Sequence, residues 1–275
     1  MGSAATSSTA PTRRERQRQA TYDEIVEVSR RLLRASEDVS LRAVSAEMGM
    51  TPPALYRYVD SHAELMVLVA RSVFEDVVAA MAAASNRYAD DDPAAQIVAS
   101  ASAFRRWALG NREEFRLVFA PPVGAYGTAA SVGGSGQLSP EDCLTEQSGG
   151  AELFGGFFSE IFARLWAKYQ FPVPADDELD PAIVEAVQEH AKLMPGIEGL
   201  GSGARPTAEM AWLFERAWAR LYGIVTLEVF GHINPGLAQS GALFAATMRD
   251  IGADIGLLDE WPRLREIAAE QPGSS

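Results

Sequence analysis

The sequence predicts an all-α protein with a small N-terminal three-helix unit and a larger helical body. Apolar residues recur at spacings of three and four along most of the 275-residue chain, and strand-like alternation is absent from it. Serine, threonine or aspartate precedes several of these periodic runs, in places with proline next, which is a pattern typical of helix starts. No repeat of the length that marks a solenoid is evident.

The first predicted helix covers residues 22 to 35. Thr21 and Glu24 form a capping-box pattern, in which two side chains accept hydrogen bonds from backbone N–H groups at a helix N-terminus. The apolar residues that follow recur at helical spacing: Ile25, Val28, Leu32 and Leu33.

A helix-turn-helix pattern follows between residues 40 and 62. Ser40 is a good N-cap, and Gly49 supplies the backbone freedom that the turn requires. Thr51 can cap the second helix, and Leu55 and Val59 would pack back on the first. A helix with a small leading end, an arginine and two tyrosines suits entry into a major groove. The residues left facing outward are Pro53, Ala54, Tyr56, Arg57 and Tyr58.

The body is predicted from further helix starts. Ser61 and Glu64 form a capping box, and Asp92-Pro93 and Asp180-Pro181 each begin a later helix. Residues 121 to 150 hold seven glycines and few apolar residues, so we expect a mobile loop or a partly disordered insertion there.

The net charge of −13 is divided unevenly along the chain. Residues 12 to 58 carry +2, whereas residues 59 to 275 carry −15. An acidic body would repel DNA everywhere except at a basic docking face. We expect residues 1 to 19 to form a flexible arm that follows the DNA backbone or enters the minor groove, or else stays a solvated tail. Its arginines are Arg13, Arg14, Arg16 and Arg18.

The compartment and the class of protein are constrained by what the sequence lacks. It has no apolar run long enough to span a membrane and no signal-peptide core, so we expect a cytoplasmic protein with no membrane partner. The single cysteine, Cys143, excludes an internal disulfide framework and is either a thiol sensor or an incidental residue. Enzymatic motifs are missing, and the glycine-rich residues 196 to 203 follow no predicted strand. We therefore expect no catalytic residues, no metal site and no cofactor.

Residues 20 to 80 resemble the DNA-binding domain of the tetracycline-repressor (TetR) family. The resemblance rests on Gly49-Met50-Thr51, on Leu55 to Val59 and on Glu64-Leu65. It implies that Tyr56 holds a backbone phosphate, that Arg42 reads a base and that Thr51 sets the recognition helix against a phosphate.

Two positions depart from the family pattern. His62 stands where the family usually has lysine, and Tyr58 stands where histidine is common. A histidine is mostly neutral at pH 7, so affinity for any DNA sequence would be lower, unless the backbone amides at this helix N-terminus hold the phosphate instead. The full set of expected DNA contacts is Arg13, Arg14, Arg16, Arg18, Arg42, Thr51, Pro52, Pro53, Ala54, Tyr56, Arg57, Tyr58 and His62.

The last two long helices are predicted to form a homodimer interface. Apolar residues between 207 and 232 cover more than one helical face, and residues 240 to 258 offer apolar side chains with glycine and alanine between them. Two such helices per subunit could form a four-helix interface, which is also how the TetR family dimerises. The run from Trp218 to His232 also resembles the C-terminal regulatory domain of one TetR subgroup.

The resemblance further implies a small-molecule inducer or co-repressor in an apolar cavity of the body. Each aromatic residue could equally be ordinary core. The candidate cavity residues are Phe104, Trp107, Phe119, Phe158, Phe162, Trp166, Trp212, Trp218 and Tyr222. The candidate polar anchors are Arg105, Arg106, His190 and Glu215.

These expectations divide the chain into four parts. They are the arm of residues 1–19, the helix-turn-helix domain of residues 20–66, the regulatory and dimerisation domain of residues 67–262, and a C-terminal tail of residues 263–275. The expected function is a homodimeric repressor on a near-palindromic double-stranded DNA operator, released by a small, largely apolar ligand. The alternative is a helical small-molecule-binding protein or enzyme that retains a helix-turn-helix with no operator.

Overall fold

The all-α prediction is confirmed. The computed structural model describes residues 12–119, 149–174, 178–193 and 207–269, and within these ranges it has twelve α-helices and no strand. The N-terminal unit consists of α1 (Arg13–Arg34), α2 (Leu41–Glu47) and α3 (Pro52–Leu55). The body consists of α4 (His62–Ser85), α5 (Pro93–Gly110), α6 (Arg112–Phe119), α7 (Gly150–Tyr169), α8 (Pro181–Leu193), α9 (Ala208–Val229), α10 (Pro235–Ser240), α11 (Ala242–Asp254) and α12 (Trp261–Ala269).

Helix α1 begins nine residues earlier than predicted, at Arg13 instead of residue 22. Thr12 is the N-cap, its Oγ1 accepts from Glu15 N at 3.3 Å, and Thr12 N donates to Glu15 Oε2 at 2.6 Å. Thr21 lies inside the helix and donates to Gln17 O. The predicted Thr21–Glu24 capping box is therefore wrong, as is the flexible arm for residues 13–19. The same T-x-x-E pattern at Thr12 starts the helix first, and the intervening arginines and glutamines favour helix.

The helix-turn-helix forms, with two differences from the prediction. Helix α3 is only four residues long, so Tyr56, Arg57 and Tyr58 lie in the turn that follows it instead of on the helix. Ser40 Oγ accepts from Ala43 N at 3.2 Å, and Gly49 adopts φ +64°, a conformation that glycine takes without strain. Leu55 and Val59 are fully buried beneath α3. Thr51 is the N-cap of α3, but its side chain makes no capping hydrogen bond.

Helix α4 connects the N-terminal unit to the body. Ser61 Oγ accepts from Glu64 N at 3.1 Å, as predicted, while the Glu64 carboxylate accepts from Asp60 N at 2.6 Å. Further along, α4 packs against α1, α5, α6 and α7 through a buried apolar face. A displacement of α4 would therefore move both parts of the molecule.

Residues 263–269 belong to a packed helix instead of the predicted tail. Leu264 of α12 is buried, and α12 packs on α5 and α11. Arg263 forms an ion pair with Asp92, 2.7 Å from Nη1 to Oδ2. Tyr169 donates to Glu260 Oε1 at 2.7 Å, and burial together with this hydrogen bond raises the pKa of Tyr169 to about 12. Ring and ion-pair contacts thus hold the C-terminal helix on the body.

Several predictions fall outside the described residues. These are Cys143, the side chain of His190, residues 196–203 and all of the glycine-rich segment except Gly149 and Gly150. Gly150 begins α7 and lies against Phe74 of α4. Among the described helices, none is long and apolar enough to cross a membrane.

Candidate nucleic-acid interface and ligand region

The N-terminal unit presents a surface that we call the recognition surface, made of Arg42, Tyr56 and Arg57. The Tyr56 side chain is 51% exposed, and Arg42 and Arg57 are exposed as well. Leu55 and Val59, both fully buried, alternate with these residues and fix the backbone that carries them. The surface therefore combines two positive charges and a phenol on a rigid support.

The leading end of α3 is small and accessible. Thr51, Pro52 and Pro53 are exposed and Ala54 is half-buried. None of these side chains extends far from the backbone, so another molecule could approach this end of the helix closely.

Tyr58 faces inward more than predicted. It is half-buried, and its ring packs edge-on against Tyr22 of α1, with 5.5 Å between ring centres. The Tyr22 hydroxyl accepts from Arg18 Nη2 at 3.2 Å. The Tyr22–Tyr58 pair therefore helps to hold α1 beside the turn after α3, because edge-to-face ring pairs stabilise packing, whereas the Arg18–Tyr22 hydrogen bond lies within α1.

His62 is held by the backbone of the N-terminal unit. Its Nε2 lies 2.8 Å from Val39 O, so this nitrogen carries the proton and donates. In the neutral ring the other nitrogen is then an acceptor and cannot donate to a phosphate. A lysine at this position would offer three donors and a fixed charge.

The four N-terminal arginines lie on a helix. Arg13, Arg14, Arg16 and Arg18 are all exposed on the first turns of α1. Their positions are therefore set by α1, and they move with it as one body.

A buried arginine joins the N-terminal unit to the body. Arg30 of α1 is 9% exposed and donates to Glu114 of α6, from Nε to Oε1 at 2.8 Å and from Nη2 to Oε2 at 3.1 Å. Glu114 is 0% exposed. Arg30 also donates to Asp76 Oδ2 at 2.9 Å and to Ser72 Oγ at 3.2 Å, both on α4. One guanidinium therefore ties α1 to α4 and α6.

The surroundings keep this network charged. Burial lowers the pKa of Arg30, but hydrogen bonds to Glu114 and Asp76 raise it by more. Burial raises the pKa of Asp76, yet hydrogen bonds from Trp107 and Arg30 bring it below its ordinary value. Trp107 Nε1 donates to Asp76 Oδ2 at 3.1 Å, which connects the network to the aromatic residues of the body.

Most of the candidate cavity residues pack against one another. We call this set the aromatic cluster. Its rings are 5 to 6.5 Å apart: 5.3 Å from Phe104 to Phe119, 6.4 Å from Trp107 to Phe119, and 5.3 Å from Trp218 to Tyr222. Tyr222 also donates to Phe119 O. The cluster members are Phe74, Phe104, Trp107, Phe115, Phe119, Phe154, Phe158, Trp218 and Tyr222.

Three of the candidates lie outside this cluster. Phe162 and Trp166 pack around Phe171, with ring centres 5.6 and 4.9 Å from it. Trp212 packs with Val187 in a separate small core. Of the nine predicted residues, eight therefore belong to the main core and Trp212 to a separate one.

A groove of about 470 Å³ lies elsewhere on the body, between α5, α11 and α12. None of the nine predicted aromatic residues is among the described residues that line it, whereas Arg105 and Arg106 are. Arg105 Nε donates to the buried Glu228 at 2.6 Å. Glu215 is half-buried on α9 and is not among the groove residues.

Sequence reasoning missed Arg30 and Glu114. Both occur among many charged residues in helices, and no local pattern separates them from solvated positions. The available signal is weak: Glu114 directly precedes Phe115 in the short α6, whose apolar face is well defined.

The chain is similar over most of its length to three curated proteins. It is 27% identical over 228 residues to the HTH-type transcriptional regulators Mb1846 of Mycobacterium bovis and Rv1816 and MT1864 of Mycobacterium tuberculosis, covering 82% of this chain and 88% of each relative. These relatives support a transcriptional regulator. No family model matches the sequence.

A solved structure shares the fold. The crystal structure of SCO4313, a candidate regulatory protein, superposes with a TM-score of 0.57 over 87% of this chain and 98% of that chain, at 24% sequence identity. At 24% identity the likeness concerns the arrangement of the helices and does not show a function.

Proposed function

We propose that the protein is a DNA-binding transcriptional regulator of the TetR type that acts as a homodimer. The observation that carries the proposal is the recognition surface, where Arg42, Tyr56 and Arg57 are exposed above the buried Leu55 and Val59. A short helix with small residues at its exposed start, followed at once by an exposed tyrosine and arginine and flanked by Arg42 of α2, suits a major groove. The relatives named as HTH-type transcriptional regulators support the same assignment.

The contacts with DNA divide into two kinds. Tyr56 holds a phosphate and Arg42 reads a base edge, while Arg13 and Arg14 of α1 add charge toward the backbone. Phosphate contacts position a protein on the duplex, whereas base contacts specify the sequence. The small leading end of α3, Pro52 to Ala54, allows the helix to sit deep in the groove.

A homodimer is supported by the outer faces of α9 and α11. Ala219, Gly223 and Leu227 recur every four residues along α9, and Leu227 is 41% exposed. A Cβ at Gly223 would meet nothing within 4 Å. Small exposed residues, Ala246 and Ala253, recur along α11. Such faces allow close packing of two helices from each subunit.

Ligand response would pass through α6. This helix carries Glu114, which holds Arg30 of the N-terminal unit, and next to it Phe115 of the aromatic cluster. A largely apolar ligand that enters the cluster would separate rings that now touch and would displace α6. Two arrangements of the dimer are involved, one that docks on both half-sites and one that cannot. The ligand changes DNA affinity only by the ratio of its affinities for these two arrangements, and an inducer prefers the one that cannot dock.

DNA binding by variants of the recognition surface tests the proposal. Fluorescence polarisation would measure the affinity of the full chain for a duplex from its own upstream region and for a random duplex. Arg42→Ala should weaken binding to the specific duplex by roughly 1–3 kcal/mol and binding to random DNA by much less. Tyr56→Phe should weaken both about equally, because a phosphate contact carries no sequence information.

Arg87→Ala is the matched control, since Arg87 is an exposed arginine that follows α4 in the body, away from the recognition surface and from the proposed dimer faces. Its affinity for both duplexes should stay near that of the wild type. Wild-type affinity of Arg42→Ala and Tyr56→Phe for both duplexes would instead favour the alternative of a helical ligand-binding protein or enzyme without an operator.

A further inference from the structure

The Oδ2 atom of Asp76 accepts hydrogen bonds from two different parts of the molecule. Arg30 Nη2, on α1 of the N-terminal unit, lies 2.9 Å from this oxygen. Trp107 Nε1, on α5 of the body, lies 3.1 Å from the same oxygen. Asp76 itself belongs to α4, the helix that connects the two parts. The Asp76 carboxylate is therefore a point at which α1, α4 and α5 meet.

The Asp76 side chain needs a second contact to stay directed at Arg30. It is 47% exposed, so water competes for its oxygens and other rotamers are open to it. Trp107 is only 7% exposed, and it packs in the aromatic cluster with 6.4 Å between its ring centre and that of Phe119. Close packing leaves a core side chain few orientations. The fixed indole N–H thus orients the more exposed carboxylate.

The two carboxylates that hold Arg30 are linked to the aromatic cluster in different ways. Glu114 is fully buried on α6 and is linked through its neighbour in the chain, Phe115. Asp76 is instead bonded directly to the side chain of a cluster member, Trp107. Movement of the Trp107 ring would therefore change the hold on Arg30 even if α6 stayed in place.

We propose that Trp107 is a positioning residue for the N-terminal unit. Its indole N–H keeps the Asp76 carboxylate directed at Arg30, and this second charged partner fixes α1 on the body. Displacement of the Trp107 ring leaves Asp76 free to turn toward water, so α1 loses one of its charged partners. The role differs from that of a cavity wall, because it depends on the N–H and not on the apolar surface of the ring.

A looser α1 affects the recognition surface. Helix α1 packs against α2, which carries Arg42. The Tyr22 ring of α1 also contacts Tyr58 in the turn that follows α3, with 5.5 Å between ring centres. The effect on DNA binding rests on the proposed function, whereas the effect on α1 rests on the hydrogen bonds of Asp76 and can be measured without DNA.

Hydrogen–deuterium exchange of the full chain, with Trp107→Phe as the test variant, measures the hold on α1. Phenylalanine keeps an aromatic ring in the cluster but has no N–H. Amides of α1 around Arg30 should exchange roughly fivefold faster or more than in the wild type, because a hydrogen bond to a charged group is lost and local opening becomes easier. Amides of α9 and α11 should stay within about twofold, whereas a general loss of stability would raise exchange in every helix.

Two further variants isolate the hydrogen bond. Trp261→Phe makes the same change on α12, outside the aromatic cluster, and should leave the exchange of α1 unchanged. In an Asp76→Ala background the N–H has lost its acceptor, so Trp107→Phe should add no further increase in exchange. Circular dichroism would establish that each variant is folded, and Trp107→Met, which also lacks the N–H, replaces Trp107→Phe if that variant is not.

Wild-type exchange of α1 in Trp107→Phe would overturn the proposal. So would an equal rise in Trp261→Phe, an equal rise in all helices, or full additivity with Asp76→Ala. Fluorescence polarisation tests the consequence for DNA, where Trp107→Phe should bind the specific duplex roughly threefold more weakly or worse. Faster exchange of α1 with wild-type DNA affinity would overturn the link to DNA binding. If the wild type bound no duplex, the proposed function would fail while the exchange result stood.

Discussion

At the scale of single residues, burial decides which charges stabilise the fold and which stay available for a partner. Arg30 is buried and shared between Glu114 and Asp76, whereas Arg31 forms a surface pair with Glu47. Exposed pairs contribute little because water screens them. Arg42, exposed on the recognition surface, is of a third kind, since its guanidinium is accessible to DNA.

Glu114→Gln should be strongly destabilising. It leaves the buried Arg30 with a weaker partner, and breaking a buried ion pair costs about 3–5 kcal/mol. We expect the lower end of this range, because Asp76 still accepts from Arg30. Urea unfolding would measure the loss. Glu47→Gln, which breaks a surface pair, should cost less than about 1 kcal/mol; equal losses would mean that Glu114 does not act as a buried partner.

Asp76 should contribute to acid sensitivity. Its pKa is lowered in the fold, so it stabilises the protein above its unfolded pKa, and this contribution is lost as the pH falls through its folded pKa. Asp76→Asn should therefore unfold at lower urea than the wild type near neutral pH, and the difference should shrink below about pH 4. The effect is modest because the side chain is 47% exposed. A stability difference between wild type and Asp76→Asn that grows on acidification would contradict a lowered pKa of Asp76.

His62→Lys should tighten DNA binding on all sequences. The Nε2–H of His62 already donates to Val39 O, whereas a lysine adds a fixed positive charge near the phosphates. One further phosphate contact should steepen the slope of log affinity against log salt by about 0.9. Polarisation titrations at several salt concentrations would measure this. An unchanged slope would show that residue 62 lies away from the DNA backbone.

At the scale of elements, two short segments decide how the helices dock. Helix α6 is short, yet it contacts the N-terminal unit through Glu114 and the aromatic cluster through Phe115 and Phe119. The start of α7 lies against α4 so closely that Gly150 has no room for a side chain. These are the contacts through which a movement in the body would reach α1 and α4.

Gly150→Ala should destabilise the protein, and Gly155→Ala should not. A Cβ at Gly150 would lie 2.1 Å from the Phe74 ring, which is buried and cannot move aside freely. Overpacking of this kind costs about 1–3 kcal/mol. A Cβ at Gly155, on the same helix, meets nothing within 4 Å. Alanine there should stabilise α7 by up to about 1 kcal/mol. Thermal unfolding would show midpoint shifts of opposite sign; shifts of the same sign would contradict the predicted docking of α7.

At the scale of the whole molecule, the recognition surface belongs to the N-terminal unit and the faces of the proposed dimer belong to the body. Residues 12 to 58 carry a net charge of +2, while the body is acidic and exposes the small-residue faces of α9 and α11. Two copies joined through those faces would point two recognition surfaces at one duplex, with a spacing that their two-fold axis sets. An acidic body would disfavour other orientations on DNA.

Leu227→Glu should dissociate the proposed homodimer. It places a charge at the C-terminal end of the apolar stripe of α9, and an unpaired charge is costly to bury. Light scattering at micromolar concentration should give a dimer for the wild type and a monomer for the variant. Leu153→Glu changes an exposed leucine of α7 and should remain dimeric. A monomeric wild type would refute the interface.

The sequence predicted those parts of the fold that depend on neighbouring residues. Capping side chains at Ser40, Ser61 and Asp92 were each found at the start of a helix, because a cap needs only a residue two or three positions away. The same locality explains the failure at Thr21, where an identical pattern lies inside a helix whose N–H groups are already bonded. The exposed recognition residues were predictable for the same reason, and their contacts with DNA remain predictions.

The tertiary structure alone decided which distant residues meet. Arg30 and Glu114 are 84 positions apart, and only the packing of α1 against α6 brings them together. The placement of Trp212 in a separate small core, the docking of α12 and the groove between α5, α11 and α12 likewise depend on how helices cross. Helical periodicity specifies which face of a helix is buried. Which other helix covers that face depends on which packed arrangement of the whole chain has the lowest free energy.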